Sequence, residues 1–97
     1  MKPFDGIKKL SLYHFQSCPF CASTRSVIKK TGLSIEHRDI QKNQSHWADL
    51  VENGGKSQVP ALRIEREFEP TQWMYESGDI NEFLTLYAQE IQHKKTA

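Results

Sequence analysis

Apolar side chains recur with helical spacing near the carboxyl end of the chain, and this is its most regular pattern. Positions i, i+3, i+4, i+7 and i+11 are occupied by Ile80, Phe83, Leu84, Tyr87 and Ile91. This spacing predicts a helix with one apolar face. Ser77 stands ahead of these residues as the expected N-cap, and Asp79 adds negative charge where the helix dipole favours it.

Four shorter apolar segments have the composition or the alternation of β-strands. They are Leu10–Phe15, Leu33–Ile40, Val59–Glu65 and Gln72–Tyr75. The last two are separated by a short turn, which implies an antiparallel hairpin. The first two flank a helical segment, and such a crossover returns the chain parallel to the first strand.

Two further helices complete the predicted pattern. They run from about Pro19 to Thr31 and from Gln41 to Asn53. Gly32 stops the first of them, and Asn43 or Ser45 caps the second. The predicted order is therefore β-α-β-α-β-β-α, an α/β fold with a four-stranded mixed sheet and helices on both faces.

The composition is that of an ordinary folded domain. Of its 97 residues, 37% are hydrophobic and 26% are charged. We expect one domain over residues 1–97, with a core from about residue 8 to residue 91. The formal net charge of +1 argues against nucleic acid or an anionic membrane as a partner. No apolar run approaches the roughly 18–20 residues of a membrane span.

The ends of the chain and its cysteines indicate a compartment. Met1–Gly6 lacks the apolar core of a secretory signal peptide. The chain has two cysteines, and both belong to one motif, which fits a cycling disulfide better than a structural one. We therefore expect a cytoplasmic protein, in a compartment that keeps thiols reduced.

The candidate chemistry lies in the segment Cys18-Pro19-Phe20-Cys21, at the end of the first strand and the start of the first helix. Pro19 suits the first helical position, and Ser17 is the expected N-cap. At a helix N-terminus, free N–H groups and the dipole favour a thiolate over a thiol. Cys18 is therefore the expected attacking thiol. Cys21 lies one turn further into the helix, is expected to be more buried, and would resolve the adduct.

A zinc site is the main alternative use of a Cys-x-x-Cys pair. Such a site needs a second cysteine pair or two closely spaced histidines. The chain has neither, since its histidines are scattered singly at His14, His37, His46 and His93. We expect no metal, and two inert structural cysteines remain a weaker alternative.

Taken in order, these motifs resemble the glutaredoxin family of the thioredoxin-fold superfamily, over nearly all of residues 8–91. Cys18–Cys21 is similar to the family's dithiol site, with Phe20 where tyrosine is usual. Val59-Pro60 matches a Val-Pro pair whose proline is cis. Glu76–Asp79 stands where glutaredoxins have a glycine-rich turn followed by Cys-Asp-Asp.

The resemblance implies a thioredoxin-like (glutaredoxin) fold and a glutathione-binding set, which is Phe20, Val59, Pro60, Glu76, Ser77 and Asp79. Ser77 would meet the γ-glutamyl carboxylate at a helix N-terminus, and Asp79 or Glu76 would accept from the ammonium group. The backbone of Val59 would pair with the tripeptide.

The sequence departs from the glutaredoxin pattern in two places. Phe15 replaces the usual cation before the cysteines, and Gln58 replaces the usual threonine before Val-Pro. Lys56 or Arg25 would then have to meet the glycine carboxylate. The Glu76-Ser77 pair also resembles the glutathione site in the N-terminal domain of glutathione transferases. Those enzymes share the fold but have a second, helical domain, which we do not expect in this chain.

The expected activity is that of a glutathione-dependent thiol–disulfide oxidoreductase, serving electron transport and cell redox homeostasis. Glutathione would be the reductant and co-substrate, and disulfide-containing or glutathionylated proteins the partners of a monomer. Two alternatives stay open. One is a scaffold for a glutathione-ligated [2Fe–2S] cluster, and the other is a thioredoxin-like electron donor served by a reductase.

Overall fold

The computed structural model describes Phe4 and residues 6–96, with side chains up to residue 92. Its strands are β1 (Ile7–His14), β2 (Glu36–Asp39), β3 (Ala61–Arg66) and β4 (Gln72–Met74). Its helices are α1 (Pro19–Thr31), α2 (Gln44–Asp49) and α3 (Ser77–Thr96), and α2 continues into a π-helical turn over Leu50–Gly54. Most of the Met1–Gly6 segment and the side chain of His93 lie outside the described residues.

The four strands form one mixed sheet in the order β2-β1-β3-β4. β1 pairs parallel with β2, while the β1–β3 and β3–β4 pairs are antiparallel. The predicted thioredoxin-like fold is therefore confirmed. Because β1 is a central strand, its carboxyl end delivers the cysteine segment to the middle of one sheet edge.

Alternating side chains along β1 point into two separate cores. Leu10 and Leu12 face the larger core, where they meet Ile28 of α1 and Leu84 of α3. Tyr13 faces the opposite side, where it packs with Leu50 and Ala61. The helices consequently cover both faces of the sheet, α1 and α3 on one side and α2 with its π-helical turn on the other.

The strand boundaries differ from the prediction because of pairing. β1 begins earlier, at Ile7, since its first residues pair with β3 up to Arg66. β2 begins later, at Glu36, since only four of its residues pair with β1. Leu33 and Ile35 are apolar because they pack against the larger core, although they lie outside the ladder.

Backbone conformation sets the helix boundaries. Gly32 ends α1 as predicted, with φ of 72° and its N–H bonded to the carbonyl oxygen of Ile28 at 3.0 Å. Asn43, rather than Ser45, caps α2 and accepts the Ser45 N–H at 3.0 Å. Within the described residues, no helix is long and apolar enough to cross a membrane.

Candidate active site

Cys18 itself, not Ser17, is the N-cap of α1. Its backbone is extended, with φ of −79° and ψ of 117°, and its Sγ accepts a hydrogen bond from the Cys21 N–H at 3.4 Å. Pro19 follows at the start of the helix, where its missing N–H costs nothing. The Cys18 sulfur therefore lies at the helix N-terminus, where a negative charge is favoured.

The two thiols have different surroundings, and neither is in a disulfide. The exposed fraction is 6% for Cys18 and 0% for Cys21, which confirms that Cys21 is the more buried. Burial, reinforced by the hydrogen bond with Cys18, raises the pKa of the Cys21 thiol to about 12, although a hydrogen bond with the Phe15 backbone and, to a smaller extent, the Arg25 charge act in the opposite direction. Cys21 therefore retains its proton at neutral pH.

An open cleft of about 300 Å³ adjoins the cysteine segment. Seven residues line it, namely Phe20, Gln58, Val59, Pro60, Tyr75, Glu76 and Ser77. The Val59–Pro60 peptide bond is cis, as the resemblance implied. The side chain of Phe20 is 65% exposed, so the cysteine turn presents a large apolar ring at the cleft.

Five of the six residues expected to bind glutathione thus line one cleft, and Asp79 does not line it. Asp79 is exposed and borders a separate depression with Phe83 and Leu86. The predicted N-cap of the last helix also shifts by one residue. α3 begins at Ser77, and its first turn is closed by the Ile80 N–H bonding to the Glu76 carbonyl oxygen at 2.8 Å.

Tyr75 lines the cleft, whereas the sequence predicts it only as part of a strand. Its hydroxyl donates to the carbonyl oxygen of Gly54, and its own carbonyl oxygen accepts from the Gln58 side chain at 3.3 Å. Burial raises the pKa of the phenol. The sequence signal for a place in the cleft is the position of Tyr75 directly before Glu76-Ser77.

The two cations proposed for a carboxylate occupy different places. The Lys56 ammonium lies 4.8 Å from the centroid of the Tyr75 ring, although Lys56 itself does not line the cleft. The Arg25 guanidinium instead donates to the carbonyl oxygens of Phe15 and Gln16, at 3.3 and 3.2 Å. Lys56 therefore contacts a residue that lines the cleft, whereas Arg25, on α1, bonds to the loop that precedes the cysteines.

A second polar cluster lies on the α2 side of the sheet. Tyr13 donates to Asp49, and the guanidinium groups of Arg38 and Arg63 approach the same carboxylate oxygen at 3.1 and 3.0 Å. Arg63 also lies over the Trp73 ring, 5.7 Å from its centroid. This cluster joins β1, β2 and β3 to α2, and it does not line the cleft.

Comparison with known proteins decides the family. A family profile described as "Glutathione S-transferase, N-terminal domain" matches residues 12–90. The chain belongs to this family. A search of curated proteins found no match.

Solved structures agree with this membership. A glutathione transferase Omega 2S from Trametes versicolor aligns with a TM-score of 0.65 and 19% identity, over 84% of this chain and 37% of that one. A maleylacetoacetate isomerase from Anaeromyxobacter dehalogenans 2CP-1 has dicarboxyethyl glutathione and citrate bound in its active site. It aligns with a TM-score of 0.63 and 26% identity, over 84% of this chain and 38% of that one.

A shorter relative in fold is also found. A thioredoxin-like protein aligns with a TM-score of 0.55 and 18% identity, over 63% of this chain and 89% of that one. This chain thus spans little more than a third of the transferase chains but matches most of the thioredoxin-like one. It is a thioredoxin-fold protein related to glutathione enzymes.

Proposed function

We propose that this protein is a glutaredoxin-type enzyme, a glutathione-dependent thiol–disulfide oxidoreductase that acts through Cys18 and Cys21. The observation that carries the proposal is the arrangement of the two thiols. One thiol caps the helix next to a cleft, and the other is buried one turn away. Family membership supports glutathione, rather than a dedicated reductase, as the source of electrons.

The reaction balances in two-electron steps. The Cys18 thiolate attacks one sulfur of a substrate disulfide, forming a mixed disulfide and releasing the other sulfur as a thiolate. Cys21 then transfers its proton to the substrate thiolate released first and attacks the Cys18 sulfur. This attack releases the second substrate sulfur as a thiolate and leaves a Cys18–Cys21 disulfide. Two glutathione molecules restore the dithiol and leave as glutathione disulfide.

A glutathionylated protein requires only the first thiol. Cys18 attacks the glutathione sulfur, and the protein thiolate leaves. A second glutathione then attacks the mixed disulfide on Cys18, releasing glutathione disulfide and the Cys18 thiolate. Cys21 takes no part in this route, since the second glutathione supplies the attacking thiolate.

We assign the bound glutathione to the cleft. Its γ-glutamyl carboxylate meets Ser77 at the start of α3, where free N–H groups attract anions. Its ammonium group meets Glu76, and its glycine carboxylate meets the Lys56 ammonium. The backbone of Val59 and the exposed ring of Phe20 hold the rest of the tripeptide. Asp79 is the weakest member of the proposed set, since it borders another depression.

The decisive test couples glutathione, glutathione reductase and NADPH to the reduction of a glutathione mixed disulfide. We expect Cys18→Ser to lower turnover by at least about 100-fold, and Cys21→Ser to stay within about tenfold of wild type. Ser17→Ala is the matched control, since Cys18 caps the helix. Equal loss in both cysteine variants would contradict the division of roles.

Two other outcomes would replace the proposal. Conjugation of glutathione to an aromatic electrophile, without disulfide reduction, would identify a transferase. Brown colour and visible absorbance after anaerobic purification would identify a glutathione-ligated [2Fe–2S] scaffold. We further propose a monomeric, single-domain cytoplasmic protein whose partners are glutathione and proteins carrying disulfides or bound glutathione, because a cycling dithiol requires a reducing compartment.

A further inference from the structure

The guanidinium group of Arg25 is bonded to the loop that leads into the cysteine segment. Arg25 donates from Nη1 to the carbonyl oxygen of Phe15 at 3.3 Å and from Nη2 to that of Gln16 at 3.2 Å. The same Nη1 lies 3.1 Å from Nδ1 of His14. One side chain thus contacts three consecutive residues, namely the last residue of β1 and the first two residues of the loop that leads to α1. A planar fork with several N–H donors suits this arrangement, and a lysine ammonium does not reproduce it.

This loop is connected directly to the attacking thiol. The carbonyl oxygen of Phe15 accepts the Cys18 N–H at 3.2 Å, in addition to its bond from Arg25. Moving that carbonyl would move the residue that caps α1. Arg25 therefore acts on the position of Cys18 through one shared acceptor.

Arg25 also brings a charge to the dithiol. It lies four residues after Cys21, on the same side of α1, and its charge opposes the rise that burial imposes on the Cys21 pKa. Within the part of the chain that the structure describes, every ion pair of 4.0 Å or less is formed by a cation other than Arg25. Its charge is consequently not neutralised by a neighbouring carboxylate.

His14 completes the contact from the other side. Its side chain is 3% exposed, and burial, with the Arg25 and His37 charges, lowers the pKa of its imidazole, while Asp39 acts in the opposite direction and Lys42 adds to the lowering. A neutral ring can accept the Arg25 N–H at Nδ1 and keep its proton on Nε2. The contact is therefore compatible with the positive charge of Arg25.

We propose that Arg25 is the positioning residue of the dithiol, holding the Phe15 and Gln16 carbonyls so that Cys18 keeps its place at the helix start, where the free N–H groups favour a thiolate. This inference rests on the proposed function for its purpose. It assigns Arg25 to the thiols and not to the glycine carboxylate of glutathione.

The test measures thiol chemistry without glutathione. In the Cys21→Ser background, the rate of alkylation of Cys18 by iodoacetamide is followed against pH for Arg25→Gln, Arg25→Lys and Lys29→Gln. Lys29 is the matched control, since it is an exposed cation on α1 outside the cysteine loop. We expect Arg25→Gln to move the midpoint upward by roughly 0.5–1 pH unit, Arg25→Lys to move it less, and Lys29→Gln to leave it unchanged.

Three results would overturn the proposal. An unshifted profile in folded Arg25→Gln would make Arg25 merely structural, and an equal shift in Lys29→Gln would make the effect a general one of helix charge. If Arg25→Gln does not fold, the proposal would be contradicted by an Arg25→Lys variant that has the pH profile and the alkylation rate of the wild type. Absence of mixed-disulfide turnover in the wild type, with an alkylation profile that still depends on Arg25, would contradict the proposed function alone.

Discussion

The Tyr13 hydroxyl donates a hydrogen bond to the Asp49 carboxylate, joining the central strand β1 to the end of α2. Both arginines of the cluster, Arg38 and Arg63, direct their Nη1 atoms at the same carboxylate. The hydrogen bonds from Tyr13 and Asn53, together with the two arginine charges, lower the pKa of Asp49 although burial alone would raise it. Asp49 is thus the carboxylate that the two arginines share, while Arg38 also pairs with Glu36 and Arg63 lies 3.9 Å from Glu65.

Asp49→Asn should destabilise the protein. The substitution keeps the shape of the side chain but leaves two partly buried guanidinium groups without their shared carboxylate. We expect the free energy of unfolding to fall by about 1–3 kcal/mol, measured by urea unfolding followed by tryptophan fluorescence. Glu52→Gln is the matched control, since Glu52 is an exposed acid in the adjoining turn. Equal losses in the two variants would refute the role given to the cluster.

The stability of the protein should fall in acid. Hydrogen bonds from Arg38 and then Lys9 lower the pKa of Glu36 from 4.5 to about 2. A carboxyl with a depressed pKa in the folded state stabilises that state fully above pH 4.5, and this contribution is lost as the pH falls toward 2. The urea midpoint should therefore drop between pH 5 and pH 2.5, and less steeply in Glu36→Gln. An identical drop in that variant would exclude Glu36 as a contributor.

Gly54→Ala should disturb the cleft through Tyr75, although Gly54 does not line the cleft itself. A Cβ at this position would lie 2.8 Å from the Tyr75 hydroxyl oxygen and 3.0 Å from Cε3 of Trp73. We expect a loss of about 1–3 kcal/mol in stability and a higher KM for glutathione, because Tyr75 must move. In Gly78→Ala the added Cβ meets no atom within 4 Å, so its stability should be unchanged or higher. Equal stability of Gly54→Ala and wild type would show that Tyr75 yields freely.

Lys56→Gln should weaken glutathione binding without slowing the chemistry. The ammonium beside Tyr75 is the proposed partner of the glycine carboxylate, and losing one charge-assisted contact of about 1 kcal/mol raises KM by roughly fivefold. The kcat should stay near that of the wild type. Lys8→Gln, on the exposed surface of β1, controls for net charge. A fall in kcat with constant KM would remove Lys56 from the binding site.

Local signals were sufficient for much of the fold. Gly32 and Pro19 marked the ends of α1, and its range of Pro19–Thr31 is confirmed. The apolar spacing from Ile80 marked α3. The cis bond before Pro60 followed from the resemblance, not from any pattern of polarity.

The remainder depended on contacts between distant residues. The Tyr75 hydroxyl meets Gly54, 21 positions earlier, and Arg63 meets Asp49 across 14 positions. Which face of a strand carries such a side chain depends on pairing register, and register is set by the whole sheet. The cap at Cys18 differs from the sequence prediction for another reason, since serine is a common N-cap residue and cysteine is not among the preferred ones.

In the proposed dithiol cycle, the cap formed by Cys18 would link the oxidation state of the two thiols to the start of α1. A thiolate is a stronger acceptor for the Cys21 N–H than the sulfur of a disulfide, because the charged bond is the stronger one. The first turn of α1 should therefore be more stable in the reduced protein, and the Cys21 amide hydrogen should exchange more slowly. An interaction that stabilises the reduced form also raises the reduction potential. In the proposed dithiol cycle, the first turn of α1 would therefore help to set how readily the Cys18–Cys21 disulfide accepts electrons.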